Sequence, residues 1–200
     1  MQRALSVLIV LLATAAPALA QQWQIDTAHS RAQFTVRHLM ISDIRGDFGA
    51  VTGTVDYDGK DVTKAKIKAT IDVQSLTTRV EKRDEHIKTD DFLDVKNHPT
   101  MTFVSTAITP AANGLYNMTG DLTIRGTTRR VTFTLTAPAG PITTRGQTKI
   151  GASASGKINR KDFGVKYHEV MDNGGLGVAD EVFIQLDVEL IQQAARTSTN

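Results

Sequence analysis

The clearest pattern along the chain is an alternation of apolar and polar residues with a period of two. Between residues 65 and 73 every second side chain is apolar, and Lys66, Lys68, Thr70 and Asp72 lie between them. Residues 118–124, 131–135, 150–158 and 182–190 repeat this alternation. A period of two predicts β-strands that bury one face and expose the other.

Near the N-terminus the alternation changes its phase. Phe34 and Val36 lie on one face of a predicted strand. In the next strand Phe48 has one parity and Val51 has the other. A β-bulge at Gly49-Ala50 would turn the buried face over, so we predict one there.

The strands follow one another with hairpin-like connections. Asn113-Gly114 and Arg125-Gly126 are short turn signals, and no strand is followed by a long helix as in a parallel sheet. About eight or nine such strands indicate an antiparallel barrel or a sandwich. Single-face alternation in strand after strand favours the barrel, because closure removes exposed edges.

One stretch, from Ser75 to Phe103, departs from the strand pattern. It is rich in charge, contains helix-forming residues from Arg79 to Lys88, and reaches His98-Pro99, where helix cannot continue. We predict a single helical insertion at about residues 79–95 that lies beside the barrel as a flap.

The first twenty residues have the features of a signal peptide. Arg3 is followed by an apolar run and by Ala18-Leu19-Ala20, which predicts export and cleavage after Ala20; a retained anchor helix is the alternative. We expect one domain over residues 21–193 and a disordered tail over residues 194–200.

Composition excludes several classes of function. The chain has no cysteine and a net charge of +2, so we expect no disulfide, no thiolate metal site and no nucleic-acid partner. No segment after the signal peptide is long and apolar enough for stable membrane insertion.

Candidate catalytic and metal-binding groups are weak. No pair among the five histidines has the spacing of two ligands on one helix, and the serines of residues 151–156 miss the G-x-S-x-G pattern. We therefore expect no catalytic residue, no metal and no cofactor. A cluster of Arg79, Lys82, Arg83 and His86 could meet a polar head group, or could be a solvated surface paired with neighbouring glutamates.

The predicted inner face contains many small residues, which would leave a wide interior unfilled. They suggest a cavity for a long slender ligand; the alternative is that the strands crowd or that the insertion fills the space. These residues are Ala32, Ala65, Ala69, Ala152, Ala154 and Gly156.

An ordered series of short motifs resembles the YceI-like family of exported polyisoprenoid-binding proteins and covers essentially all of the chain after the signal peptide. The motifs are Asp26–Ser30, Phe34–His38, Gly46–Phe48, Arg83–Ile87, Asp90–Asp94, His98-Pro99, Thr102-Phe103, Gly120–Gly126 and Asn159–Gly164.

The resemblance implies a lipocalin-like barrel, a periplasmic location, frequent homodimerisation and an internal pocket for an isoprenoid lipid of polyprenyl phosphate or quinone type. It implies no catalytic residues. From strand parity we place Phe34, Val36, Phe48, Ile67, Ala69, Ile71, Ile87, Phe92, Phe103, Leu122, Phe133 and Phe163 at the apolar cavity. We place His38, Arg83 and His86 at its polar mouth.

Two other functions stay open at this point. An enzyme acting on such a lipid, or on another small molecule, would need a convergent polar triad, for which His38, His86 and Asp84 are the obvious candidates. A stress-response or interaction module would have a filled barrel that contains no cavity.

Overall fold

A computed structural model describes residues 21–172 and 174–194. The predicted signal peptide and nearly all of the predicted tail lie outside these residues. The described chain forms strands β1 (Gln21–Ile25), β2 (Arg31–His38), β3 (Ser42–Phe48), β4 (Val51–Tyr57), β5 (Lys66–Asp72), β6 (Leu76–Thr77), β7 (Thr100–Pro110), β8 (Tyr116–Ile124), β9 (Thr127–Leu135), β10 (Ala139–Thr144), β11 (Gln147–Asn159) and β12 (Val178–Gln192), together with one helix, α1 (Glu81–Lys88).

The strands close into an antiparallel barrel of eight strands. The hydrogen-bonded order β11-β9-β8-β7-β5-β4-β1-β12 returns to β11 through the pairing of β12 with β11. Every neighbouring pair is antiparallel. The predicted lipocalin-like barrel with one helical insertion is therefore confirmed, and its closure follows from having one dry face on each strand.

The remaining strands continue members of the barrel beyond sharp bends. Strands β1 and β2 both pair with β12. On their other sides, β1 pairs with β4 and β2 pairs with β3. Between β3 and β4, Phe48 and Val51 are both buried although they differ in parity. The buried face therefore changes at Gly49-Ala50 as predicted, but the cause is different. The chain leaves one strand at Phe48 and enters another at Val51, so the predicted bulge within a single strand is replaced by a break between two strands.

A second change of face occurs in β7 and was not predicted. The register between β7 and β8 shifts between Ser105 and Ala107. Phe103 is buried before the shift and Ile108 is buried after it. A bulge explains how one strand can direct residues of opposite parity into the same core.

Helix α1 begins later than predicted and packs weakly. It starts at Glu81, where the carboxylate of Asp84 accepts hydrogen bonds from the backbone and the side chain of Thr78. No residue of α1 is buried, and Ile87 is half-buried against the core. Such a short helix depends on its connections for stability, because isolated helices of this length are marginal in water.

The segment after α1 and the connection from β11 to β12 together cover one end of the barrel. Arg125 donates hydrogen bonds to the backbone carbonyls of Asp90 and Phe92 at 2.8 and 2.5 Å. The rings of Phe92 and Tyr167 stack with their centroids 4.6 Å apart. Within the described residues, no helix is long and apolar enough to cross a bilayer.

Arg160 holds the β11–β12 connection in place. Its guanidinium is buried and donates to the carbonyls of Tyr167, Val178 and Ala179. It also pairs with Asp180 at 3.0 Å. A buried cation with this many partners fixes the backbone around it, because losing any partner would leave a desolvated polar group.

Candidate functional site

The barrel encloses a cavity of about 160 Å³. Along β12 its wall extends from Ile184 to Leu190, which corresponds to roughly 20 Å at ~3.3 Å per residue. The cavity is therefore long and narrow, as expected for the interior of an eight-stranded barrel.

The wall of the cavity is apolar. No Lys, Arg, His, Asp or Glu of the described residues lines it, and its few polar members are Gln33, Tyr57, Thr102 and Ser153. Burial, with a smaller contribution from nearby acidic groups, raises the pKa of the Tyr57 hydroxyl. The site can therefore hold an apolar chain, but it offers no charged partner to an ion.

Most of the apolar residues predicted for the cavity do lie on its wall. Their role as ligand contacts stays a prediction. They are Phe34, Phe48, Ile67, Ala69, Ile71, Phe103, Leu122 and Phe133. The small residues Ala32, Ala65, Ala152 and Ala154 line it as well.

Four predicted residues lie away from the wall. Val36 is half-buried further along β2, towards the covered end. Ile87 packs against the core from α1, Phe92 stacks on Tyr167, and Phe163 is buried in the turn that follows β11. They help to form the cover, a tertiary arrangement that strand parity does not describe.

The three residues predicted for a polar mouth are not brought together. Arg83 donates to the hydroxyl and the carbonyl of Thr78 at 2.7 and 2.9 Å, which fixes the start of α1. His86 contacts Asp91 at 3.2 Å, and His38 ends β2 opposite Ser42. None of the three lines the cavity.

Three glycines shape the interior, and of these the sequence indicated only Gly156, as one of the small residues of the inner face. A Cβ atom added at Gly46 would lie 2.4 Å from Cζ of Phe34, and one at Gly120 would lie 2.4 Å from Cζ of Phe103. Phe133 covers Gly156 in the same way, at 2.6 Å. Each phenylalanine ring therefore packs directly against the backbone of a glycine, in space that any larger side chain would occupy.

These glycines have a common sequence signal. All three share the inward parity of their strands, and each lies on a strand adjacent to the one that carries its phenylalanine. The signal becomes readable only when the pairing of the strands is known.

An acidic cluster lies outside the cavity, at the bend between β1 and β2. Asp26, His29 and Glu189 place ligand-type atoms within 4.8 Å of one another. The ammonium of Lys149 donates to Asp26 at 2.8 Å and to Glu189 at 3.2 Å. Hydrogen bonds from Lys149 and His29 lower the pKa of Asp26 from 3.8 to about 2. Because Lys149 already supplies a cation, this cluster acts as a polar clamp on the bend.

A closed eight-stranded antiparallel barrel with an apolar internal cavity defines a lipocalin-like binding barrel. The family model of the YceI-like domain matches residues 23–190, and the chain belongs to this family.

Relatives and solved structures agree with that assignment. A UPF0312 protein of Staphylococcus epidermidis is 32% identical over 171 residues, covering 84% of this chain and 96% of the relative. BcnA of Burkholderia cenocepacia is 30% identical with a TM-score of 0.71, covering 82% of this chain and 98% of BcnA.

Two further structures are similar. The YCEI protein of Campylobacter jejuni is 30% identical with a TM-score of 0.67, covering 78% of this chain and 90% of that protein. A polyisoprenoid binding domain from Saccharophagus degradans shares the fold at 13% identity, with a TM-score of 0.62 and coverage of 88% and 99%.

Proposed function

We propose that the protein is a periplasmic carrier that holds a long-chain isoprenoid lipid, of polyprenyl phosphate or quinone type, inside its barrel. The observation that carries this proposal is the uncharged cavity of about 160 Å³ that runs along the interior. Burial of apolar surface contributes ~25 cal/mol per Å², so a slender apolar chain would bind there without any catalytic group.

The family supports the choice of ligand class. The YceI-like domain spans nearly all of the chain that follows the predicted signal peptide. A structural neighbour is named as a polyisoprenoid binding domain. An enzyme is less well supported, because no hydrogen bond among the described residues joins His38, Asp84 and His86 into a triad.

The first experiment is native mass spectrometry of protein purified from its own host, followed by extraction and identification of the bound lipid. We expect an isoprenoid to be released and to rebind to the stripped protein. If no lipid is bound in the purified protein and added isoprenoids do not bind, the carrier function is refuted.

Location and assembly are proposed with the function. Cell fractionation should place the protein in the periplasm, and its mass should correspond to a chain that begins at Gln21. Size-exclusion chromatography with light scattering should give the mass of a homodimer. A cytoplasmic, unprocessed protein would contradict the first expectation, and a monomer would contradict the second.

A further inference from the structure

A second concave surface lies against the same part of the wall as the cavity. It is a groove of about 460 Å³ on the outside of β2, β3 and β12. Gln33 and Phe34 line both this groove and the internal cavity. At this place the cavity is therefore separated from solvent by a thin wall, and we call the outer surface the β3 groove.

The wall beside the β3 groove has an incomplete strand ladder. Strand β3 pairs with β6 only through Asp47 and Phe48. In the described chain, the part of β3 before Asp47 has no strand partner at that edge. The Phe34 ring covers Gly46 there. Towards β2 the sheet is continuous, because Gly46 pairs with Phe34. The weak point of this wall is therefore the free edge of β3, where the Phe34 ring and the Thr78 side chain both lie close to Gly46.

Charge in the β3 groove is unevenly paired. Of its two acids, Asp43 pairs with Arg37 at 3.1 Å and Asp47 lies 3.9 Å from Arg31. Both of these arginines lie outside the groove lining.

Arg45 and Arg79 belong to the groove lining, and neither forms an ion pair with any described residue. The groove therefore presents two guanidinium groups without an ion-pair partner of their own, beside two carboxylates whose partners, Arg31 and Arg37, lie outside it. Guanidinium groups are the side chains best suited to bind phosphate and carboxylate.

The backbone fixes Arg79 in an unusual conformation at the edge of the groove. Its φ angle is 64°, in the left-handed region that non-glycine residues seldom adopt. Its backbone N–H donates to the hydroxyl of Thr77 at 3.1 Å. These constraints set the direction in which the side chain leaves the backbone, two residues after the end of β6.

We propose that Arg45 and Arg79 form the head-group subsite for an anionic lipid, of phosphate class, whose tail lies in the cavity and passes the wall at Phe34. This proposal rests on the proposed lipid-binding function. An ionised phosphate inside the uncharged cavity would lose its hydration without compensation. In the β3 groove it stays hydrated and meets two cations.

The test compares two lipids of equal chain length, a polyprenyl monophosphate and the corresponding neutral polyprenol, on the stripped full-length mature protein. Calorimetric titration measures both affinities for the wild type and for the Arg45→Gln/Arg79→Gln double variant. Arg129→Gln is the control, because Arg129 is an exposed arginine on β9, away from the groove.

We expect the wild type to bind the phosphate about tenfold more tightly than the alcohol, since the head group would form two exposed ion pairs in the groove. The double variant should lose this preference and bind the alcohol unchanged. The Arg129→Gln variant should behave as the wild type, and 0.5 M salt should reduce the preference.

Any of four results would overturn the proposal. Equal binding of both lipids by the wild type would remove the anionic preference. Equal weakening of both lipids in the double variant would show that the arginines support the barrel instead. Binding of inorganic phosphate as tightly as the lipid phosphate would assign the groove to free anions. If neither lipid binds, the carrier function itself fails and the subsite fails with it.

Discussion

Replacing Gly156 by alanine tests whether glycines keep the cavity open. The added Cβ would lie 2.6 Å from Cδ1 and 3.3 Å from Cε1 of Phe133. Carbon atoms normally approach to ~3.5–4.0 Å, so the ring has to move by roughly 1 Å. Because Phe133 lines the cavity, the movement away from the wall takes the ring into the space proposed for the lipid.

The energetic effect is the difference between two opposing contributions. Overpacking of a core costs ~1–3 kcal/mol, whereas removing a glycine from a strand gains ~0.5–1 kcal/mol. We expect a net destabilisation of about 0.5–2 kcal/mol in urea unfolding. Lipid affinity should fall as well, because the ring then occupies part of a cavity of only about 160 Å³.

Gly151→Ala is the matched control on the same strand. The nearest atom to its added Cβ is the carbonyl oxygen of Val188 at 3.9 Å, an ordinary contact. Combining Gly156→Ala with Phe133→Leu should recover stability and binding beyond the sum of the single effects, a coupling that a double-mutant cycle measures. If Gly156→Ala is as stable as Gly151→Ala and binds lipid equally well, the reasoning is refuted.

Three further substitutions test the cavity, the clamp and the cover. Ala69→Phe places a ring in the cavity and should lower lipid affinity roughly tenfold or more, whereas Lys68→Phe, on the exposed face of the same strand, should not. Asp26→Asn should cost on the order of 2 kcal/mol at pH 7, because the carboxylate pKa of about 2 lies below its usual 3.8. Arg160→Lys should cost about 2–4 kcal/mol by leaving buried carbonyls without donors.

The readouts of these substitutions differ. Since the pKa of Asp26 is lowered by folding, its stabilising effect is present above about pH 4 and is lost as the pH falls towards 2. The wild-type and Asp26→Asn curves of unfolding free energy should therefore converge in acid, and parallel curves would contradict the clamp. For Arg160→Lys, hydrogen exchange should increase in the β11–β12 connection, and unchanged exchange there would contradict its anchoring role. Equal loss of stability and binding in Ala69→Phe would indicate an ordinary packed core.

The N-terminal strand shows what pattern reasoning missed. Strand β1 places Trp23 and Ile25 in the core, yet it was not predicted as a strand. Their alternation is a usable signal, but it is short and directly follows the predicted signal peptide. The alternation covers only residues 23–25, and three residues are too few for periodicity to distinguish a strand from a linker.

The sequence by itself determined the fold class, the single helical insertion and most of the apolar wall. One-face alternation is a local property, and a strand that carries it has to bury that face wherever it pairs. For the same reason the change of face at Gly49-Ala50 was visible as a change of parity, although the structure forms it by ending β3 at Phe48 and starting β4 at Val51 and not by a bulge within one strand.

Only the tertiary structure decided which residues approach one another across strands. Three such contacts depend on the register and closure of the sheet. The Phe133 ring lies on Gly156, and Arg83 donates a hydrogen bond to Thr78. Arg45 and Arg79 line the same groove as Phe34. These contacts join residues on different strands and connections, and alternation along one strand carries no information about its partner. The chain therefore encodes an apolar interior locally, whereas the width of the cavity and the position of the proposed head-group subsite depend on how the strands pair.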